Sequence, residues 1–584
     1  MRSCSTRTAP TRASTAIGRA RPWRKAALAG LLCALIWPGA AAASVTLDQF
    51  TVTPGSTQAG SHPDVTIYQH LSPSSTDDDV KDTFVRLAPG VLGNPQSATL
   101  CSREQLRSSA GCPDSAQVGT VRVTTSIHVL PPLVSVANFA IDGKVYNLRP
   151  LGSEPARLGL KLTPVGLPAP LPSALPPVYL ESPAYLRQGA DGVGLESSFS
   201  DQPRTQSGLN IQITSVSLTL VGRAARGTFM RMPTSCGPKT SLSRVNSWLA
   251  PTTFSSRTST FTSTGCDRLG FSPSATGSLG SPSTTKKGSY PPLSTTLRFD
   301  PEQAALKSAE VTLPRALQPN IAVLPRACTH AQANATACPA SSRVGTAVIE
   351  SPLQAKPVSG PVYLAYNTNA ALPGLMVVLP PPVGLRIDGT IESTAAGLKN
   401  TFPSNPDLPL TSFTLAFGGG STGAVQLASD LCAPSTPTAL AVKLTAHNGK
   451  VRTFSQELAT PGCDPFATLK LTKHKRRYTL SAVLTAARRG PALTAARLSL
   501  PKALRAGKRR PRLLVDGKRV KAARAKRTLK PKLGAGTRRI KIVWKGLKRT
   551  KGHRVRRTLT VPVTLRDGRG KKTTLKVRVR VRSG

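Results

Sequence analysis

Gly419-Gly420-Ser421-Thr422-Gly423 has the G-x-S-x-G spacing of a hydrolase nucleophile elbow. That site needs a strand before the serine, a helix after it, and an acid and a histidine further along the chain. Asp430 and His447 follow in that order but lie within 26 residues of Ser421. Ala424 to Ala428 alternate like a resumed strand, so the expectation is a hairpin without catalytic function. Ser499-Leu500-Pro501-Lys502 fits S-x-x-K without its companion motifs. His62-Pro63-Asp64 reads as a turn before a strand. Asp77, Asp78, Asp79 and Asp82 lack the alternating calcium-loop pattern and read as a solvated loop. Asn334-Ala335-Thr336 is a formal glycosylation sequon, and the seven histidines show no H-x3-H pair. The expectation is a protein that is not an enzyme, with no catalytic residue, metal site, cofactor or identifiable small-molecule substrate.

The strongest chemical pattern is cationic. In Lys576-Val577-Arg578-Val579-Arg580-Val581-Arg582 a strand's period of two puts four cations on one face, with same-face neighbours ~7 Å apart. Lys508, Arg509, Arg510, Arg538 and Arg539 add further density, as do Lys518-Arg519 and Arg554, Arg556 and Arg557. Such a surface suits a polyanion, whose counterions it would release on binding. The expected partner is an anionic cell-wall polymer. A DNA-binding module is a second reading and a wall- or glycan-active hydrolase a third. Phe466, Tyr478 and Trp544 are the only aromatics after residue 463, few for the stacking that single-strand recognition uses.

The elements that must carry these residues follow from composition. The chain has 584 residues, a formal charge of +51, 52 Pro, 47 Gly and only 4% aromatic residues. Cores built from Ala, Val and Leu in short segments between frequent turns are expected, not long helical bundles. Residues 464 to 584 hold 40 Lys and Arg against three Asp, whereas residues 44 to 463 hold 31 basic and 24 acidic residues. Seventeen of the 40 are lysines, which a GC-rich codon bias would not favour. Charge runs are commonly disordered. Here Leu559, Val561, Val563 and Leu565 alternate, as do Ile540, Ile542 and Trp544, and Asp516-Gly517 and Asp567-Gly568 read as hairpin turns. The basic segment is therefore expected to be a folded β-domain.

Residues 1–43 combine seven basic residues, an apolar run from Ala26 to Trp37 and a small-residue ending, the pattern of a cleaved secretory signal peptide. No later run is apolar and long enough to span a bilayer, so no transmembrane anchor is expected after cleavage. Eight cysteines follow, spaced C-x10-C and C-x29-C, then C-x9-C and C-x30-C. The simplest pairing is Cys101–Cys112, Cys236–Cys266, Cys328–Cys338 and Cys432–Cys463, although eight cysteines allow other connectivities.

That doubling extends to sequence. Cys112 to Thr120 matches Cys338 to Thr346 at six of nine positions, Gly143 to Tyr146 corresponds to Gly360 to Tyr363, and Gly265-Cys266-Asp267 answers Gly462-Cys463-Asp464. Thr411 to Phe417 and Val216 to Leu220 alternate as half-buried strands, and short helical turns are expected near 102–109 and 329–337. The chain reads as all-β: tandem disulfide-braced β-sandwich (Ig-like) domains at 44–270 and 292–465, a Ser/Gly/Pro-rich linker at 271–291, and a basic β-domain at 466–584.

Several motifs occur together: Gly60 to Asp64, Leu87 to Pro95, Cys112 to Thr120, Val145 to Leu148 followed by Glu154 to Arg157, Pro233 to Pro238, and Gly265 to Phe271. In this combination residues 45–465 resemble a group of secreted proteins of high-GC Gram-positive bacteria, a group without an established function. The resemblance implies export, β-rich modules and an extracellular or envelope address, and it supplies no catalytic residue. The expected role is a secreted structural or adhesive surface protein.

Overall fold

The computed structural model describes residues 45–583, except 76–77, 130–133, 168–172, 190, 282, 368–371, 434, 461–463, 488–490, 523–525 and 569. The expected signal peptide lies outside the described residues. The chain is all-β.

The first repeat contains eleven principal strands: β1 Val45–Pro54, β2 Val65–Pro73, β3 Val80–Arg86, β4 Gln117–Val129, β5 Val134–Leu148, β6 Ala156–Leu162, β7 Val178–Gly189, β8 Gly192–Phe199, β9 Leu209–Leu220, β10 Gly237–Ser247 and β11 Ser255–Ser263. They hydrogen-bond in the order β1-β2-β9-β4-β5-β6-β7-β8-β3-β10-β11. The two ends of this path meet. The amides of Leu47 and Val52 donate to the hydroxyls of Ser255 and Ser259, and a parallel bridge joins Gln58 to Thr264.

The second repeat comprises β12 Ser274–Leu279, β13 Leu293–Arg298, β14 Leu306–Thr312, β15 Arg343–Glu350, β16 Val358–Ala365, β17 Gly374–Val378, β18 Arg386–Thr394, β19 Gly397–Phe402, β20 Ser412–Phe417, β21 Ala439–Ala446 and β22 Val451–Glu457. Its order, β12-β13-β20-β15-β16-β17-β18-β19-β14-β21-β22, reproduces the first strand for strand, and Ser278 bridges Ala459 in parallel where the path closes. Each repeat is thus a barrel-like ring whose inward side chains form the core. These seam contacts bring the two end strands of each path together and so cover edges that could otherwise template association.

One boundary differs from the sequence expectation. The stretch 271–291 is not a linker: β12 lies inside it and pairs along its length with β13. Its small residues reflect close packing. A Cβ on Gly277 would lie 2.5 Å from Leu458 and 2.8 Å from the Ser294 carbonyl.

Between the paired cysteines of each repeat sits one helical turn, Arg103–Arg107 and His330–Asn334, each closed by a capping box, Ser102 with Gln105 and Thr329 with Gln332. A disulfide closes the loop around each turn: Cys101–Cys112 and Cys328–Cys338, with Cα separations of 5.6 and 5.3 Å. Cys236 is bonded to Cys266. Cys432 is also disulfide-bonded, and its expected partner Cys463 lies outside the described residues.

The basic segment is folded. Its main strands are β23 Phe466–His474, β24 Arg477–Thr485, β25 Leu493–Ser499, β26 Arg512–Val515, β27 Lys518–Val520, β28 Arg539–Arg549, β29 Thr558–Asp567 and β30 Lys572–Ser583, in the order β27-β26-β28-β24-β23-β30-β29-β25. Leu480, Ile540, Ile542 and Trp544 meet Leu498, Val561, Val563 and Leu565 in one core. Asp516 and Gly517, at φ 46° and 84°, form the two-residue turn between β26 and β27, a backbone that favours Asp-Gly. The turn after Asp567 is longer, with β30 resuming at Lys572.

Candidate functional site

On β30, Lys576, Arg578, Arg580 and Arg582 are exposed, Val579 is buried and Val577 and Val581 are half-buried on the opposite face. The alternation places the valines against the core and leaves the cations to water. Pairing then decides what faces them. Lys576 lies opposite Pro562, Arg578 opposite Thr560 and Arg580 opposite Thr558, so the adjoining strand offers no countercharge. On the other flank Arg582 pairs with Thr472 of β23, and exposed Lys470 lies two residues away on the same outer face.

The sheet extends this surface beyond the C-terminal strand. Val543 lies between Arg512 of β26 and Ser481 of β24, which pairs in turn with Lys470 of β23. One row across four strands therefore runs from Arg512 to Lys470, with strands ~4.8 Å apart. Lys541 lies in the next row on this face, between Val483 of β24 and Leu514 of β26, whose other neighbour is Arg519. Lys470, Arg512, Lys541 and Lys545 were not singled out from the sequence. Their signal was the alternation Lys541-Ile542-Val543-Trp544-Lys545, which had been used only to find the core face.

The other cations are placed differently. Lys508, Arg509 and Arg510 are exposed on the loop before β26, and Arg509 comes beside Gly546 together with Arg477. Arg538 and Arg539 stand at the opposite end of β28. Their backbone amides donate to Asp516, and the Arg538 guanidinium donates to the Ala487 carbonyl at 2.8 Å. Arg538 is thus partly a structural residue.

The three acids of this segment are engaged locally. Asp464 meets Lys571 at 2.5 Å, Asp516 caps the start of β28, and Asp567 accepts the Lys571 amide. Two exposed cations ~7 Å apart repel by about 0.6 kcal/mol in water. That cost recurs along the stripe, and a polyanion would relieve it.

The residues of hydrolase type do not converge. The Ser421 carbonyl accepts from Asn320, Asp430 receives Lys286 at 3.0 Å, and His447 Nε2 bonds the Asn405 carbonyl. Residues 418–424 form a turn, but not the expected hairpin: β20 lies in the barrel while Val425–Leu427 pairs with Leu317–Pro319 in a separate two-stranded sheet. Ser499 Oγ meets Thr528 Oγ1, and Lys502 is exposed. His62 bonds the Met230 carbonyl through Nδ1 and Glu302 through Nε2, linking the two repeats. Asp78, Asp79 and Asp82 are buried, not solvated. Asp79 Oδ1 accepts the amides of Val80 and Ile213, Asp78 those of Asp79 and Leu249, and Asp82 that of Asp201. Asp77 lies outside the described residues. No group of three His, Cys, Asp or Glu could hold a metal ion among the described residues.

No family model and no curated protein matches the chain. Among solved structures, the tetra-tandem repeat in the extending region of a large adhesion protein aligns over 92% of this chain and 98% of its own, at 11% identity and a TM-score of 0.17. The Enterococcus faecalis MSCRAMM ACE aligns over 53% and 94%, at 10% identity and 0.16. The N-terminal domain of the Streptococcus gordonii adhesin Sgo0707 aligns over 91% and 100%, at 9% identity and 0.17. At these scores the likeness carries no argument about function.

The disulfides are compatible with an extracellular protein matured in an oxidising compartment. No helix among the described residues is long and apolar enough to cross a membrane.

Proposed function

We propose that this is a secreted, non-enzymatic surface or matrix protein that attaches electrostatically to an anionic envelope polymer through the outer face of its basic β-module. The observation that carries the reading is the β30 stripe: four exposed cations at regular spacing, facing neutral residues on the adjoining strand. Closed, disulfide-braced barrels suit the remaining length to a spacer or adhesive body.

The test is binding of the full chain to purified phosphate-rich wall polymer across a salt series. Roughly 6–10 simultaneous phosphate contacts would lose ~10³–10⁵ in affinity between about 50 and 200 mM salt, by analogy with duplex DNA. Replacing Lys576, Arg578, Arg580 and Arg582 by Gln should make the log–log slope shallower by up to about four. A flat salt response, or a quadruple variant that binds like the parent, overturns the proposal. A preference for DNA over wall polymer of equal charge would change the class of partner.

A further inference from the structure

The two barrels share one topology but enclose voids of different size. In the first, a cavity of about 110 Å³ is bounded in part by Gln69, Thr83, Thr125, Ser197 and Gln202. Polar contacts stiffen this interior: Gln69 donates to Ser243 at 2.6 Å and Gln202 to Thr83 at 2.9 Å. The second barrel encloses about 190 Å³; as in the first, no charged residue lines it, and Thr295, Asn320, Ser393, Asn400 and Asn405 are the polar members of its wall. Leu, Ile, Val and Phe side chains from β13, β14 and β15 through β20 face it, among them the alternating Phe413, Leu415 and Phe417. Ile391, Phe417 and Ala424 line the void and pack against both of this barrel's main core clusters.

Natural interiors pack to crystal density, and a void of this size forfeits contacts along its whole lining. An engineered apolar cavity of about 150 Å³ stays dry and binds benzene. The larger lumen here is also covered by a built strap, residues 403–411. The strap crosses from β19 to β20, on opposite sides of the ring, and presents Pro406, Leu408 and Leu410 to the cavity. At one end the Asn405 amide donates to the Lys307 carbonyl; at the other, Ser351 Oγ donates to the Pro409 carbonyl and the Thr411 amide to that of Glu350. Leu372, 42% exposed, also lines the lumen and so joins it to the surface.

We infer that the lumen of the second barrel is a binding site for the hydrocarbon chain of a lipid, held beneath the 403–411 strap with any polar head group at the rim. The wall excludes a charged group from the interior, and the inward aromatic and branched side chains match an alkyl chain in polarity. The first barrel's lumen is likewise uncharged but smaller, about 110 Å³, and its corresponding segment presents Gln202, Pro203 and Gln206 where the strap of the second presents Pro406, Leu408 and Leu410.

The test uses the full chain with 1-N-phenylnaphthylamine as a fluorescent probe, displaced by primary alcohols of increasing length. Affinity should rise about fourfold per methylene and level off once the chain outgrows the lumen. Ala309→Phe, which fills the cavity, should weaken probe binding at least about tenfold while leaving the β-sheet circular dichroism intact. Ala184→Phe, the corresponding change facing the first lumen, should leave it unchanged. If Ala309→Phe fails to fold, the smaller filler Ala424→Leu serves the same purpose. Absence of probe binding, a length-independent series, or equal binding by parent and filled variants overturns the inference.

Discussion

The Asp407 carboxylate of the second barrel receives the Thr234 amide at 2.8 Å and the Thr234 hydroxyl at 2.6 Å from the first barrel. Both residues are buried, and Arg231, also buried, donates to the Gln303 carbonyl alongside them. Burial pushes the Arg231 guanidinium below its ordinary pKa, and the Asp407 charge opposes that shift. A charged anchor therefore joins the strap of one repeat to a loop of the other. Asp407→Ala would strand the Thr234 amide and take away a nearby countercharge from Arg231. The expected cost is about 2–4 kcal/mol by urea denaturation. Amide exchange should accelerate in 403–411, and Asp407→Asn, which keeps an acceptor, should cost less. Unchanged exchange in the strap would refute the anchoring role.

Asp79 predicts a pH dependence. Burial pushes its carboxyl up to about 7, against favourable hydrogen bonds from Val80 and Ile213, and its Oδ2 has no hydrogen-bond partner among the described residues. The folded pKa lies above the unfolded value of 3.8, so between about pH 4 and 7 the native state holds a proton that the unfolded chain has lost. Stability from this group is fully present below pH 3.8 and declines up to pH 7, by at most about 1.4 kcal/mol per pH unit. Asp79→Asn should gain on the parent steadily across that window and keep a constant advantage above it. A pH-independent difference would show that Asp79 is ionised in the fold.

The disulfides should differ in strength according to loop length. Cys101–Cys112 spans 11 residues and Cys236–Cys266 spans 30. Double replacement by Ala should cost about 2–3 kcal/mol for the first and about 3–4 for the second, on the chain-entropy account. Trp248 and Trp544 are the two tryptophans after residue 43, one in the first barrel and one in the basic module. In a Trp544→Phe background, Trp248 fluorescence isolates melting of the first barrel. Equal losses for the two pairs would count against the loop-length account.

Trp544 itself is fully buried, and its Nε1–H has no acceptor among the described residues. Trp544→Phe removes that stranded donor along with part of the ring, so its cost should stay below about 2 kcal/mol. Trp544→Ala opens a cavity and should cost about 3–5 kcal/mol. Differential scanning calorimetry of the two variants would separate them, and a Phe variant as unstable as the Ala variant would mean that the indole donor is satisfied.

Period-two patterning made Phe413, Leu415, Phe417 and the valines of β30 legible as strand faces, because alternation is local. The close cysteine pairs and the short helical turns between them were local too, although the capping boxes that close those turns were not read from the sequence. Ring order was not, since β2 pairs with β9 about 150 residues away and nothing near either strand encodes that contact. The Ser274–Leu279 strand was misread because close packing selects the same Gly and Ser that loops use. Asp78 and Asp79 were misread as solvent-facing because their carboxylates bind backbone amides brought from β9 and from the segment after β10.

The basic face makes a final prediction, because its cations fall into groups with different surroundings. Lys470 and Arg512 lie in one row of the sheet, Lys541 in the next, and the β30 stripe flanks Lys470. Lys508, Arg509 and Arg510 occupy a separate loop beside Gly546. A long polyanion that follows the outer surface from β30 onto β23, where Arg582 pairs with Thr472, would touch the stripe and the rows in turn. Replacing Lys470, Arg512 and Lys541 by Gln should therefore lower the salt slope by up to about three, beyond the effect of the β30 changes, because each lost phosphate contact contributes about 0.9. Replacing Lys508, Arg509 and Arg510 should lower it less. If the loop triplet has the larger effect, the polymer tracks the Gly546 end of β28 instead of the sheet face.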